Sequence, residues 1–369
     1  MTPDIIHETR TTHHQSLLKM GWTPDLQAHF DRLKTNMIPA RVTGVRKNRF
    51  LVSRGEKEWL TTVSGKFRLR AAGLYPVTGD WVLLNETIIS DVLPRKNALS
   101  RGAAGTHGNY SGTATAEQVI AANLDTVFIV CGLDRDFNLR RIERYWTLVY
   151  NCGLNPAVIL TKADLQPDPE RCMNEVENVA FGVPVHLVSA KDSKGLIALE
   201  SYLSEGRTIT LIGSSGAGKS TLVNRLSGKT VQTTGPISKS VGKGMHTTTT
   251  RDLIVMPQGG MVIDNPGIRE IAFWDDDGGI QTAFPEIERL AGECRFSDCT
   301  HTHEPDCRVL QAVTEGEIEP GRLESYQKMK RELMYLSDRR HKSADRVEKE
   351  RWKEVALKVK AMKKRRRNG

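Results

Sequence analysis

The sequence predicts a multidomain α/β protein in three parts: a small β-barrel, a mainly parallel sheet with helices on both faces, and a helical carboxy-terminal region. Three observations predict it. Between about residues 40 and 101, five short alternating runs (41–46, 49–54, 58–62, 80–84 and 87–93) are broken by Gly, Asn or Pro. Apolar runs at 126–131, 157–160, 183–188, 208–212 and 261–263 then alternate with stretches of helical periodicity, as buried parallel strands do. From about residue 274 no strand pattern returns, and Cys294, Cys299 and Cys307 crowd together.

A chain of 369 residues is too long for one compact domain, and 38% apolar with 26% charged residues describes a folded protein. No run approaches the roughly 18 apolar residues of a membrane span. The first 31 residues hold acids and histidines where an export signal needs a basic start and an apolar core. Six cysteines are too few for a disulfide scaffold, so a reducing compartment, the cytoplasm, is expected, with no membrane partner.

The net charge of +9 is uneven. Residues 322–369 hold 18 Lys and Arg against 7 Asp and Glu, and residues 41–101 hold 12 against 5. The rest of the chain is acidic on balance. Clustered cations attract polyanions through charge and counterion release, so two separated patches point to a large partner such as RNA.

The elements follow in order. Residues 1–36 form an amino-terminal arm with a weak helical pattern through Leu17, Leu18, Met20, Trp22, Leu26, Phe30 and Leu33. Residues 37–102 form the barrel. Its basic residues Arg46, Lys47, Arg49, Arg54, Lys66, Arg68 and Arg70 make it resemble an OB-fold with an RNA-binding face. A linker rich in Gly, Ala, Ser and Thr follows at 102–116. Residues 117–273 carry the parallel sheet, and residues 274–369 the cysteine cluster and a basic helical tail.

Gly213-Ser214-Ser215-Gly216-Ala217-Gly218-Lys219-Ser220 fits G-x-x-x-x-G-K-[ST] after an apolar strand, and Thr221 opens a helix-compatible stretch. Small residues let backbone N–H groups turn inward around phosphates, Lys219 reaches the terminal phosphates, and Ser220 can ligate Mg²⁺. Downstream, Asp264 in Asp264-Asn265-Pro266-Gly267 ends an apolar run; its carboxylate can hold the Mg²⁺ shell and the Gly267 N–H can sense the terminal phosphate. Between them, residues 242–250 have the hydroxyl-rich composition of a switch loop.

Thr161-Lys162-Ala163-Asp164 resembles the guanine motif [NT]-K-x-D. The Asp164 carboxylate would accept from the N1–H and 2-amino group of guanine while the Lys162 stem covers the ring. Ser189-Ala190-Lys191 resembles the companion loop against the base. Here the base-reading loops precede the phosphate loop, the reverse of the ordinary order. The same sheet can be reconnected when termini lie close together, so the order predicts a circularly permuted P-loop GTPase domain. The second switch would then run almost directly into the carboxy-terminal region, through which nucleotide state could move it.

Cys294, Cys299, Cys307 and either His301 or His303 supply three thiolates and an imidazole, a closed set for one structural Zn²⁺.

Taken together, the barrel, Thr161 to Asp164 before 213–221 before Asp264 to Gly267, the string at His246 and the cysteine cluster resemble the RsgA (YjeQ/YloQ) family of bacterial circularly permuted GTPases. The resemblance covers nearly the whole chain. It implies hydrolysis of GTP to GDP stimulated by the small ribosomal subunit, late in subunit maturation, with the barrel and zinc domain gripping ribosomal RNA. It also implies Cys294, Cys299, His301 and Cys307 as ligands, Thr248 as the switch threonine on Mg²⁺, and His246 as a catalytic residue beside Lys219. A monomer is expected.

Two positions depart from the common GTPase pattern. Ile268 stands where Ras-like enzymes carry a water-orienting Gln, so intrinsic hydrolysis is expected to be slow, with His246 the candidate in its place. Thr161 replaces the commoner Asn, which leaves base selectivity mainly to Asp164. Two other readings compete: a nucleotide-gated RNA-binding module with incidental hydrolysis, and an ATP-using kinase, against which Asp164 argues.

Overall fold

The five alternating runs form β1 (Ile38–Arg46), β2 (Arg49–Ser53), β3 (Glu58–Thr61), β4 (Trp81–Asn85) and β5 (Ile88–Val92). The computed structural model describes residues 14–70, 75–102, 117–180, 182–230, 251–264 and 278–341. β1 pairs antiparallel with both β2 and β4, β2 with β3, and β4 with β5. A parallel bridge from Val63 to Ile89 brings the two ends of this meander together around Val42, Phe50, Val52, Val82 and Ile89. A register shift between Val42 and Gly44 bends β1.

β6 (Ala98–Gly102) and β7 (Glu117–Ala122) form a separate two-stranded sheet that the sequence pattern does not reveal. Each has only five or six residues and flanks a low-complexity stretch, too short a run for periodicity to emerge. The rest of the 102–116 linker lies outside the described residues.

The main sheet comprises β8 (Thr126–Gly132), β9 (Pro156–Thr161), β10 (Val185–Leu187), β11 (Thr208–Ile212), β12 (Arg251–Val255) and β13 (Met261–Asp264), in the order β10-β9-β8-β11-β13-β12. All neighbours are parallel except β13 and β12. The chain runs outward through β8, β9 and β10, then returns to lay β11 against the other side of β8. Strand order therefore reverses between β8 and β11, and the crevice beyond their carboxy ends is the place where such sheets bind ligands.

Every residue of β9 and β11 is buried, Thr208 and Thr210 included, as expected of strands covered on both faces. The flanking helices start on local signals. Asn138 caps Leu139–Asn151 by accepting from the Arg141 N–H at 2.9 Å, and Asp168 with Pro169 opens Pro169–Val179.

β12, which the sequence pattern misses because two of its five residues are charged, pairs antiparallel with β13, and through β12 the sheet continues into β1. Its outer side is covered by the bent end of β1, through Gly44 opposite Asp252 and Val45 opposite Arg251. Arg46 reinforces the junction with an ion pair to Asp252 at 2.6 Å.

The amino-terminal arm is more integrated than its weak pattern suggests. Leu17, Met20 and Trp22 are buried, and the Trp22 ring meets Trp81 edge-on at 4.7 Å. Beneath them lies Arg41, 1% exposed, whose guanidinium donates to the carbonyls of Met20, Gly79 (3.3 Å) and Asn123 (3.2 Å). Burial pulls its pKa down to about 10, against the opposing pull of Asp125 and Asp80.

The chain divides into two compact units, residues 1–99 with 119–271, and residues 100–118 with 272–369. The described carboxy-terminal part of the second is helical: Gly278–Ala283, Pro285–Ala291, Arg308–Glu315 and Pro320–His341. Phe284, Ile287, Val309 and Tyr326 form its core, and Arg322 lies 4.6 Å over the Phe284 ring while pairing with Glu286. No helix among the described residues is long and apolar enough to cross a membrane.

Candidate nucleotide site and metal centre

The phosphate loop leaves β11 at Gly213, whose φ of +145° and close approach to β8 both require glycine: a Cβ there would lie 2.2 Å from the Val130 carbonyl. Gly218, also at positive φ, precedes the helix Lys219–Ser227, so Lys219, Ser220 and Thr221 form its first turn. Lys219 Nζ donates to the carbonyls of Gly213 (2.7 Å) and Ser214 (2.6 Å), lying across the loop where phosphate oxygens would be received. Ser215, Gly216 and Ala217 complete the turn.

The base-reading loop leaves β9 beside it. Thr161, 3% exposed, donates its hydroxyl to the Ala217 carbonyl, binding this loop to the phosphate loop across 56 residues of sequence. The side chain that replaces the common Asn thus retains a donor, directed at the neighbouring loop. Lys162 adopts the left-handed conformation, φ +59°, and its ammonium pairs with Asp134 at 2.6 Å. Burial pushes the Asp134 carboxyl up, but Lys162 and the Asp136 N–H outweigh it and hold its pKa below the ordinary value.

From the end of β10, Ser189 donates to Asp164 Oδ1 at 2.8 Å, and the Ala163 N–H reaches the Val188 carbonyl at 3.3 Å. The two loops therefore meet, with Ala190 and Lys191 in the turn that follows. Asp264 ends β13, the strand next to β11, and Thr210 of β11 donates to the Ile263 carbonyl at 2.9 Å. The Ser220 hydroxyl, in the first turn of the helix that follows β11, and the Asp264 carboxylate, at the end of the adjoining β13, are the kind of hard oxygen donors that suit Mg²⁺. His246, Thr248 and Gly267, like Ile268, lie outside the described residues.

Sequence reasoning missed Asp134, Asp136 and Arg141, which follow β8. Asp136 accepts from the Ser214 hydroxyl and pairs with Arg141 at 2.6 Å. The only signal was position, directly after a strand adjoining the phosphate loop.

In the carboxy-terminal unit, the ligand atoms of Cys294, Cys299, His301 and Cys307 all lie within 4.8 Å of one another. Tetrahedral Zn²⁺ with bonds of about 2.3 Å to sulfur and 2.0–2.1 Å to nitrogen implies edges of about 3.8 Å (S···S) and 3.5 Å (S···N). The observed Cys294–Cys307 separation is 3.8 Å, and His301 Nδ1 lies 3.7 and 3.4 Å from those sulfurs. The cluster fits the ion. His303, by contrast, is exposed and bonds Thr302 at 2.8 Å, so the alternative left open by spacing is resolved in favour of His301.

Two further groups hold the loop. Glu304 accepts from the N–H groups of Thr300, Thr302 and His303 at 2.9–3.1 Å; the Thr300 hydroxyl first, then the Thr302 and His303 N–H groups, drive its pKa far below the carboxylate range. Gln327 donates to the His301 carbonyl at 2.5 Å.

A family model described as RsgA GTPase matches residues 92–274, and one described as 50S ribosome-binding GTPase matches residues 208–342. The small ribosomal subunit biogenesis GTPase RsgA of Methanosarcina acetivorans is 43% identical over 350 residues, 93% of this chain and 92% of that protein. Its namesake from Syntrophotalea carbinolica is 42% identical over 326 residues, 86% and 90% of the two chains. Among solved structures, YjeQ from Thermotoga maritima matches with a TM-score of 0.60 at 30% identity, over 81% of this chain and 99% of that one. YloQ, described as a circularly permuted GTPase, shares the fold at 23% identity, over 81% and 96% of the chains, with a TM-score of 0.57. Strand order, converging loops and near-full-length similarity agree: this chain belongs to the RsgA family and is a GTP hydrolase with the circularly permuted P-loop fold.

Proposed function

We propose that the chain is a ribosome-stimulated GTPase that binds the small ribosomal subunit through its RNA, assists late maturation, and leaves after hydrolysing GTP to GDP and phosphate. The observation that carries the nucleotide assignment is the bond from Thr161 to Ala217, which puts a guanine-type loop against a phosphate loop. The small-subunit assignment rests on the names of relatives matched along most of the chain.

In this reading Asp164 and Lys162 read and cover guanine, Ser189, Ala190 and Lys191 close over the base, and residues 213–221 cradle the phosphates. Ser220, Thr248 and Asp264 hold Mg²⁺, and the Gly267 N–H senses the terminal phosphate. Bound Mg²⁺ neutralises charge on the phosphate oxygens. Water attacks the terminal phosphorus and GDP leaves. We assign its orientation to His246, because Ile268 has no group to do so.

The barrel, read as an OB-fold, supplies an RNA-binding face. Its connectivity, the parallel closing bridge and the helix Gly65–Arg70 between β3 and β4 support that reading, and Lys47, Arg49, Lys66 and Arg68 are exposed. The division into arm (1–36), OB-fold (37–102), GTPase (117–273) and zinc-binding region (274–369), a monomeric state and a cytoplasmic location belong to the same proposal.

Measuring GTP turnover as purified small subunits are titrated in tests it. Turnover should rise many-fold and saturate; unchanged turnover would leave a nucleotide-gated RNA-binding module. Subunit affinity should fall steeply with salt, since phosphate contacts release counterions.

A further inference from the structure

The loop after β8 carries two carboxylates that belong to no nucleotide-binding motif, and each reaches a different half of the site. Asp134 takes the Lys162 ammonium at 2.6 Å. Asp136 accepts from the Ser214 hydroxyl and from the Gly132 N–H at 3.3 Å, and pairs with Arg141 at 2.6 Å. Arg141 lies in the first turn of Leu139–Asn151 and also donates to the Asp136 carbonyl, so the carboxylate is anchored to a capped helix. Ser214 in turn offers its own carbonyl to Lys219 at 2.6 Å. A continuous set of contacts thus joins that helix to the residue that receives the phosphate-binding lysine.

The backbone accommodates this arrangement at a specific point. A Cβ on Gly132 would lie 2.8 Å from Asp134 Oδ1 and in ordinary contact, 3.4 Å, with Lys162 Cδ, so the Asp134 carboxylate and the lysine stem both pack against the strand end at this residue. The loop also leaves the sheet where strand order reverses, beside both ligand-facing loops.

We propose that Asp134 and Asp136 are positioning residues for the guanine nucleotide: Asp136, braced by Arg141, sets the entrance of the phosphate loop through Ser214, and Asp134 holds Lys162 where its stem covers the base. Ordering both loops before the ligand arrives lowers the entropy lost on binding. This rests on the reading that the nucleotide lies between the two loops. Because these contacts lie within the protein and touch none of the reacting atoms, they act on binding, and their loss raises KM for GTP with little change in kcat.

The test titrates the full chain with fluorescent GDP and a fluorescent GTP analogue. Ser214→Ala removes the hydroxyl alone and leaves the Asp136 and Arg141 pair in place. Ser214→Ala, Asp136→Asn and Asp134→Asn should each weaken binding about tenfold, as expected for a lost hydrogen bond to a charged group. Ser214→Thr, which retains a hydroxyl, should restore affinity. Combining Ser214→Ala with Asp136→Asn should cost little more than Asp136→Asn alone, since both act on the same Ser214 and Asp136 contact. If Asp136→Asn does not fold, the Ser214 pair and Asp134→Asn decide. Near wild-type binding by those variants, while Asp164→Asn loses GDP, overturns the proposal and leaves the site reading intact. An additive double variant also overturns it, and undiminished GDP binding by Asp164→Asn rejects both readings together.

Discussion

The hydroxyl of Thr161, at the end of β9, donates to the backbone carbonyl of Ala217 in the phosphate loop, two residues 56 apart in sequence. With Thr161 3% exposed, that carbonyl has little access to a substitute from water. Thr161→Val keeps the shape and removes the donor. Affinity for GDP should fall about tenfold and Thr161→Ser should recover most of it, read by equilibrium titration. Equal affinity for all three would show that the bond does not organise the site.

Asp164, oriented by Ser189 at 2.8 Å, should decide which base binds. An Asn here offers a donor where guanine presents donors, so Asp164→Asn should shift preference from guanosine towards xanthosine nucleotides. Ser189→Ala should weaken guanosine binding modestly without changing that preference. Competition between the two nucleotides measures both effects.

The metal centre should contain one Zn²⁺ per chain, lost in His301→Ala and retained in His303→Ala. Metal content after exhaustive dialysis checks this, because among the described residues His301 is the histidine grouped with the three thiols. Chelation should unfold the carboxy-terminal unit, since binding energy in such clusters is largely folding energy.

Arg41 satisfies three backbone carbonyls from the arm, the barrel and the segment before β8. Arg41→Ala should destabilise by about 3 kcal/mol or more, each orphaned buried acceptor costing about 1–3 kcal/mol. Arg41→Lys should not rescue, because one ammonium lacks the guanidinium's planar fan of donors. Urea midpoints of the three proteins provide the measurement.

His186 is partly buried against Tyr202, its Nε2 3.0 Å from the hydroxyl, and burial lowers its pKa below 6.5. Between the depressed folded value and 6.5 the unfolded chain binds a proton that the folded chain does not. Folding stability from this group is complete above pH 6.5 and is lost as pH falls through that window. Stability curves of the wild type and His186→Gln should therefore converge on acidification; a constant gap would contradict the assignment.

Much of the molecule was legible in one dimension because its signals are local. A strand buried on both faces, such as β9, is a mostly apolar run, a phosphate loop needs small residues before a helix, and three thiols beside an imidazole declare a metal whatever surrounds them. Signals that depend on a distant partner were silent. β12, with two charged residues of five, was not recognised, yet it is held on one side by β13 and on the other by β1. The arm looked weakly helical, and only its contacts with Arg41 and Trp81 explain why Met20 and Trp22 are buried.

By itself, then, the amino-acid sequence determined the kinds of element, the chemistry of each motif and the permuted order in which they occur. The tertiary structure decided which of two histidines joins the thiols, where the Thr161 hydroxyl is directed, and that Asp134 and Asp136 flank the site. The reason is physical. Chain-local preferences are set by near neighbours, whereas a hydrogen bond or a ligand distance is set by the packing that brings remote segments together.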